Sequence, residues 1–310
     1  MPAASDALKI AKQKGPLKRR LWTTGGGDGS EGETTMAIRS ILVAFNGSPG
    51  SESALRAALS LARDSDATVI GVLAHGVARA RNHLAPWLTQ ELDQMIARQE
   101  AEARAGIEAR FRGIVGEADR DRAAFVDVTA DPTAAISDFA RTYDLVCMGR
   151  YEAEAGAEHF APSPDVVALQ CGRPVLITPP DRDCAAHFAS AVLAWDGKRA
   201  AARAMGDAVA LLAPGARITV VSVGEDEADY RRPHRDPVTQ LSRHGFDATF
   251  RLLPASRRGV ADALLSAVSE VGAEMMVMGA YEHSKFSEDL IGGVTAHVLR
   301  HAKTPVLMAH

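Results

Sequence analysis

The chain has 310 residues, of which 46% are hydrophobic and 24% are charged. It is longer than the ~100–150 residues of a typical single domain, and its composition is that of a globular protein with sizeable cores. The formal net charge of −4 at pH 7 does not favour a surface for nucleic acid or for an anionic membrane. No apolar run approaches the roughly 18 residues of a membrane span.

The cysteines indicate the redox setting. Cys147, Cys171 and Cys184 are odd in number and have neither a disulfide-framework spacing nor a CxxC spacing. This pattern argues against disulfides and against a zinc knuckle. It favours a reducing, cytoplasmic location.

Residues 1–35 differ in composition from the rest of the chain. They start with a basic cluster and continue into a glycine-rich stretch at 25–30. A targeting peptide is one interpretation, although the apolar segment of a secretory signal is missing. We expect either a disordered extension or a start assigned too early, with Met36 as the true first residue.

Strand-like runs alternate with segments of helical periodicity from Ile38 onward. The first five predicted strands are SILVAFNG (40–47), ATVIGVLA (67–74), AAFVDVTA (123–130), DLVCMGR (144–150) and RPVLITP (173–179). Between the second and third strands, residues 87–112 predict a long amphipathic helix whose apolar face includes Met95, Ala103 and Ile107.

The second part of the chain repeats this course. SAVLAWDG (190–197) matches SILVAFNG, VMGAYE (277–282) matches CMGRYE (147–152), and TPVLM (304–308) matches RPVLI. Three blocks in the same order indicate a duplication. The spacing between the blocks is shorter in the second copy, which we attribute to the long middle helix of the first.

The fold class predicted is α/β, with two tandem, doubly wound domains that each contain a five-stranded parallel sheet. The domains are expected at 36–181, here called the first half, and at 188–310, the second half. Ligands of such sheets bind outside the carboxyl ends of the strands. The last strand of each half is a potential sheet edge, so we expect the two to pair within the chain as a pseudo-dimer.

These segments together resemble the universal stress protein family in its tandem form. The resemblance rests on ILVAFNGSPGSESALRAALSLA, DLVCMGR and GRPVLI, and on their second copies up to MMVMGAYEHSKFSEDLIGGVTAHVLRHAKTPVLMAH. It implies an adenine-nucleotide alpha-hydrolase-like fold and a stress-response role. Some members bind ATP or AMP, with Mg²⁺ in the case of ATP, and others have lost the site.

The nucleotide-binding members carry a motif of three spaced glycines followed by a small residue. On this chain, the resemblance places Asp196 and Val223 beside the adenine and ribose. It assigns the phosphates to Gly279, Gly292, Gly293, Val294 and Thr295. Glu282 stands where the family has its middle glycine, so the loop loses backbone freedom and gains a carboxylate that repels phosphate. The resemblance therefore implies a partial motif in the second half.

The first half departs further from the motif. Asn46 replaces the acidic residue, Glu152 replaces the middle glycine, and APSPDV (161–166) replaces the glycine step. Ser163 and Pro164 read as a helix N-cap and first helical position, and Asp165 puts a negative charge where a phosphate would lie. We therefore expect the first half to be structural.

Several alternatives remain at this stage. The protein is either a nucleotide-binding regulator, at most a very slow ATPase, or a ligand-free module that meets an unknown protein partner; a homodimer is a further option. A hydrolase or nucleotidyl-transfer enzyme is a third class, although a serine-rich pyrophosphatase loop and an HxGH element are missing. His297 and His301 have the i, i+4 spacing of two zinc ligands on a helix, but we interpret them as solvent-facing helix residues. Glu282 with His283 is a candidate general acid–base pair.

Overall fold

The computed structural model describes residues 38–76, 90–150, 160–180, 182–232, 234–254, 259–280 and 293–310, with only the backbone for 90–93. The extension at 1–35 lies outside these ranges. Glu152, Glu282, His283 and Gly292 lie outside them as well.

The first half alternates strands and helices as its sequence predicts. Its elements are β1 (Ser40–Ala44), α1 (Pro49–Ser65), β2 (Thr68–His75), α2 (Gln90–Val115), β3 (Ala123–Thr129), α3 (Pro132–Ala140), β4 (Leu145–Gly149), α4 (Pro164–Gln170) and β5 (Val175–Thr178).

The second half follows the same order. Its elements are β6 (Phe188–Ala194), α5 (Arg199–Ala208), β7 (Leu212–Val223), α6 (Pro237–Arg243), β8 (Asp247–Leu253), α7 (Val260–Val271), β9 (Met275–Gly279), α8 (Gly293–His301) and β10 (Val306–Ala309). Short 3-10 turns at Val209–Leu211 and Glu227–Asp229 precede β7 and α6.

All ten strands form one sheet in the order β3-β2-β1-β4-β5-β10-β9-β6-β7-β8. Within each half the neighbouring strands are parallel, and the strand order of the second half mirrors that of the first. The junction is antiparallel, with Val306 opposite Ile177 and Leu307 opposite Leu176. The mostly parallel α/β sheet confirms the predicted fold class, and the last strands of the two halves pair with each other.

Helices cover both faces of the sheet, as expected for strands that are buried on both sides. One core contains side chains of α1, α2 and α5, including Leu55, Phe111 and Ala204. The opposite core contains side chains of α3, α4, α7 and α8, including Ile136 and Val298. The strands contribute alternate residues to the two cores because successive side chains point to opposite faces.

The middle helix differs most between the halves. It has 26 residues in α2 and seven in α6, in line with the shorter spacing of the second copy. The predicted apolar face of α2 is only partly right. Met95 is 59% exposed, whereas Phe111 and Val115, in the last turns, are buried. The helix is therefore anchored by its carboxyl-terminal end.

Cys147 lies in β4 and is fully buried. Burial raises the pKa of its thiol far above the ordinary value, and burial likewise raises the pKa of Cys184 to about 11. Both thiols are therefore packing groups at neutral pH rather than reactive nucleophiles.

None of the helices among the described residues combines the length and the apolar character that crossing a bilayer requires.

Candidate functional site

A cavity of about 380 Å³ opens at the carboxyl ends of β6, β7 and β9, between the sheet and the first turns of α5, α7 and α8. Six of the seven residues predicted for the site line it: Asp196, Val223, Gly279, Gly293, Val294 and Thr295. The seventh, Gly292, falls outside the described residues. The topology thus brings together residues that are up to 99 positions apart in the chain (Asp196 and Thr295).

Asp196 lies in the turn that follows β6. Its Oδ1 accepts a hydrogen bond from the Lys198 N–H at 3.0 Å, and Asn46 accepts the equivalent bond from the Ser48 N–H at 3.1 Å in the first half. Since an amide makes the same turn, the turn does not require a carboxylate. The charge of Asp196 and its second oxygen are therefore available to the cavity.

Val223 ends β7 at the opposite wall of the cavity. Its carbonyl accepts a hydrogen bond from the Tyr230 hydroxyl at 2.8 Å, while the Tyr230 carbonyl accepts one from the Trp195 indole at 3.2 Å. The next residue, Gly224, leaves room for this tyrosine, because a Cβ there would lie 2.3 Å from the Tyr230 hydroxyl oxygen. Tyr230 thus fixes this wall of the cavity.

Gly279 lines the cavity, but packing explains why it has no side chain. A Cβ there would lie 2.7 Å from the Ala201 nitrogen and 2.8 Å from the Ala200 carbonyl carbon, both backbone atoms of α5. Gly149 meets the start of α1 in the same way, at 2.6 Å from the Gly50 carbonyl carbon. The glycine is therefore needed in both halves for strand–helix contact, and it is not by itself evidence for phosphate.

The first turns of two helices border the cavity. Ala200 and Ala201 belong to α5, and Gly293 begins α8. The first N–H groups of a helix have no partner within it, and the helix dipole adds positive potential there. Neither α5 nor α8 has an acidic residue in its first turn. Such an arrangement favours an anion.

The deeper wall of the cavity is apolar. Val221 is buried at the end of β7, Met278 at the end of β9, and Leu264 in α7. A flat, apolar group fits against such side chains better than a charged one. The cavity therefore combines an apolar wall, a carboxylate and an anion-favouring end.

The corresponding place in the first half is closed. The cavity there, which is lined by described residues that include Asn46, Ser48 and Pro162, measures only about 10 Å³. The first turns of its two bordering helices carry Glu52 in α1 and Asp165 in α4. Ser163 is the N-cap residue, but its hydroxyl donates to Asp165 at 2.6 Å instead of capping the helix backbone. Both space and charge are thus unfavourable to an anionic ligand.

The two histidines of α8 lie outside the cavity. His297 Nε2 is 2.9 Å from the Asp262 carboxylate, and the rings of His297 and His301 are stacked at 4.2 Å. Among the described residues, no three His, Cys, Asp or Glu side chains are grouped as metal ligands.

Sequence reasoning missed part of the wall. Tyr230, Lys198 and Leu264 line the cavity, yet no motif marks them. Gly224, next to Val223, was the one available signal, since a glycine at a strand end often indicates close approach of another group.

The comparisons with known proteins agree with this architecture. The family model described as universal stress protein family matches residues 37–179 and 256–310. Asp196 and Val223 lie between the two matched segments, so their place in the site rests on the structure. None of the curated proteins compared with the chain matches it.

Two solved structures resemble most of the chain. A universal stress protein from Archaeoglobus fulgidus DSM 4304 aligns at 16% identity with a TM-score of 0.63, over 87% of this chain and 95% of its own. A functionally unknown protein from Pseudomonas aeruginosa PAO1 aligns at 18% identity with a TM-score of 0.53, over 88% of this chain and 92% of its own. At these identities the likeness shows the fold, whereas the family model, which matches more than half of the residues, shows the family. The chain belongs to the universal stress protein family.

Proposed function

We propose that this protein is a cytoplasmic stress-response regulator that binds an adenine nucleotide, ATP or AMP, in the cavity of its second half. The observation that carries the proposal is the contrast between the halves. The second half has about 380 Å³ between two helix starts without acidic residues, and the first half has about 10 Å³ between helix starts that carry Glu52 and Asp165.

The parts of the cavity suit the parts of a nucleotide. The apolar wall of Val221, Leu264 and Met278 suits the base. Asp196 is an acceptor for ribose hydroxyls, and the starts of α5 and α8 suit the phosphates. Because the described residues hold no group of metal ligands, Mg²⁺ would be carried mainly by the phosphates of ATP.

We infer binding rather than turnover. The polar side chains described in the cavity wall are Asp196, Lys198, Tyr230 and Thr295, and none of the described lining residues is a histidine or a cysteine that could act as base or nucleophile. The nucleotide then acts as a signal whose presence changes what the protein contacts. A partner protein would read that change.

Filling the mouth of the cavity tests the proposal. Val260 lines the cavity at the start of α7 and is 41% exposed, so Val260→Trp adds bulk there without disturbing a core. We expect isothermal titration with ATP–Mg²⁺ to give saturable heat for the natural chain and at least about tenfold weaker binding for this variant.

The same helix offers a matched control. Val271, at the other end of α7, is 38% exposed and does not line the cavity, so Val271→Trp should bind ATP like the natural chain. Equal weakening in both variants would place the nucleotide elsewhere. An absence of heat at millimolar nucleotide would end the proposal and favour the ligand-free interaction module.

A further inference from the structure

A second, more polar cavity lies on the other side of Trp195, between α5, α6 and the turn that precedes α6. It measures about 590 Å³ and shares Trp195, Asp196 and Tyr230 with the nucleotide cavity. Its other walls include Met205 of α5 and three arginines, Arg232, Arg235 and Arg243. Neither the family motif nor the proposed nucleotide site accounts for it.

The first half shows what normally fills this space. Phe111 of α2 packs there, with its ring 5.4 Å from that of Phe45 and 5.2 Å from that of Phe125. Gly71 makes room for it, since a Cβ at that position would lie 2.3 Å from the Phe111 ring. In the first half, the long middle helix thus fills this space with a ring that completes an aromatic cluster.

The second half does not repeat this aromatic cluster. Strand register makes Phe250 the counterpart of Phe125 and puts Val220 in the place of Gly71. The seven-residue α6 is too short to repeat α2, and the Arg231 guanidinium lies 5.1 Å above the Phe250 ring instead. A cavity remains beside Trp195, and its lining carries three arginines and the three aspartates Asp196, Asp229 and Asp236.

One of the three aspartates that line the cavity is engaged in an ion pair. Asp236 accepts hydrogen bonds from Arg231 at 2.7 and 3.0 Å, and these bonds hold the pKa of Asp236 well below its usual range. Glu227, nearby, pairs with the same guanidinium at 2.7 Å. Asp196 and Asp229 remain as the other negative charges in the wall.

The arginines are not neutralised in the same way. Within the part of the chain that the structure describes, Arg232, Arg235 and Arg243 form no ion pair with a carboxylate. The guanidinium of one of them is held in place, since Arg232 Nε donates to the Ala228 carbonyl at 3.0 Å. Fixed guanidinium groups bind phosphate through paired hydrogen bonds.

We propose that this cavity is a second binding site, separate from the nucleotide cavity, for a small organic phosphate. The phosphate contacts Arg235 and Arg243, with Arg232 beside them, and the organic part lies against Trp195 and Met205. The site exists because the second half lacks the long middle helix. It does not depend on nucleotide binding next door.

Phenyl phosphate is a suitable probe because it has a ring and a phosphate but no adenine. We expect saturable binding to the full chain in calorimetry, weakened by added salt, and no binding of uncharged benzyl alcohol. Arg235→Ala/Arg243→Ala should weaken the binding at least about tenfold, because each lost arginine removes charge-assisted hydrogen bonds. Both arginines are exposed, so the variant should unfold like the natural chain.

Two control variants show whether phenyl phosphate binds in this cavity. Arg203→Ala/Arg251→Ala removes the same charge from the second half outside both cavities and should leave the affinity unchanged. Val260→Trp, which narrows the nucleotide cavity, should also leave it unchanged. A loss of phenyl phosphate binding in Val260→Trp but not in the arginine variant would overturn the proposal, and so would no binding at millimolar probe.

Trp195 supplies an independent readout. The other two tryptophans are Trp22 and Trp87, so Trp22→Phe/Trp87→Phe leaves Trp195 as the one indole. Phenyl phosphate should change the fluorescence of Trp195, and the dissociation constant from that titration should equal the one from calorimetry. If ATP fails to bind while phenyl phosphate binds, the nucleotide proposal fails and this one stands. If ATP binds while phenyl phosphate does not, this proposal fails and the nucleotide proposal stands.

Discussion

Gly279→Ala is expected to lower the free energy of unfolding by about 1–3 kcal/mol, and Gly149→Ala by at least as much. The added methyl group would lie 2.7 Å from the Ala201 nitrogen in one case and 2.7 Å from the Ser51 nitrogen in the other. Because these are backbone atoms, a whole helix has to move away from the sheet. Urea unfolding followed by circular dichroism measures the change.

Two glycines without close neighbours provide the control. A Cβ on Gly206 in α5 or Gly113 in α2 meets no atom within 4 Å. Alanine there should stabilise the protein by about 0.5–1 kcal/mol, as expected for a helical glycine. If Gly279→Ala left stability unchanged and weakened only ATP binding, the glycine would serve the ligand, and its role in strand–helix packing would be refuted.

Leu307→Ala and Leu176→Ala are each expected to cost about 2–5 kcal/mol of unfolding free energy. The two leucines stand opposite each other where β10 meets β5, and both are 0% exposed. Removing either leaves a cavity in the core on one face of the ten-stranded sheet, which its packed neighbours can fill only partly. Urea unfolding of the single variants measures the cost.

The double variant adds a test of contact between the halves. Directly opposed side chains share one space, so Leu176→Ala/Leu307→Ala should cost measurably less, or more, than the two single changes added together. Leu299→Ala, in a partly buried position of α8, should cost less than either. Strict additivity at the junction would mean that the two leucines do not pack as a unit.

Much of the fold could be predicted because the duplicated blocks lie in its strands. SAVLAWDG and SILVAFNG are β6 and β1, and RPVLI and TPVLM are β5 and β10, which meet at the centre of the sheet. A short, nearly continuous apolar run is typical of a strand that is buried on both faces. The same logic failed for α2, whose Met95 is exposed, because helical periodicity does not tell which turns reach the sheet.

The candidate site could be predicted only in part. The family resemblance assigned Asp196, Val223 and Gly279 to one site, and all three line one cavity. Tyr230 reaches Val223 through a turn that has no periodicity, and the open space beside Trp195 results from what α6 lacks. Spacing in a sequence reveals residues that are present, but the space left by a shorter helix appears only after folding.

The two halves show how few changes close such a site. The turn made by Asp196 is made equally well by Asn46, and the strand–helix contact of Gly279 recurs at Gly149. The difference lies in the helix starts, where Glu52 and Asp165 bring negative charge to the first half.

Photolabelling with 8-azido-ATP tests most directly whether the nucleotide binds in the second half. The tryptic peptides 259–285 and 286–300 contain the α7, β9 and α8 walls of the cavity. We expect the label in one or both of these peptides, and we expect excess ATP to prevent it. Label confined to peptides of the first half, or no labelling that ATP prevents, would contradict the account.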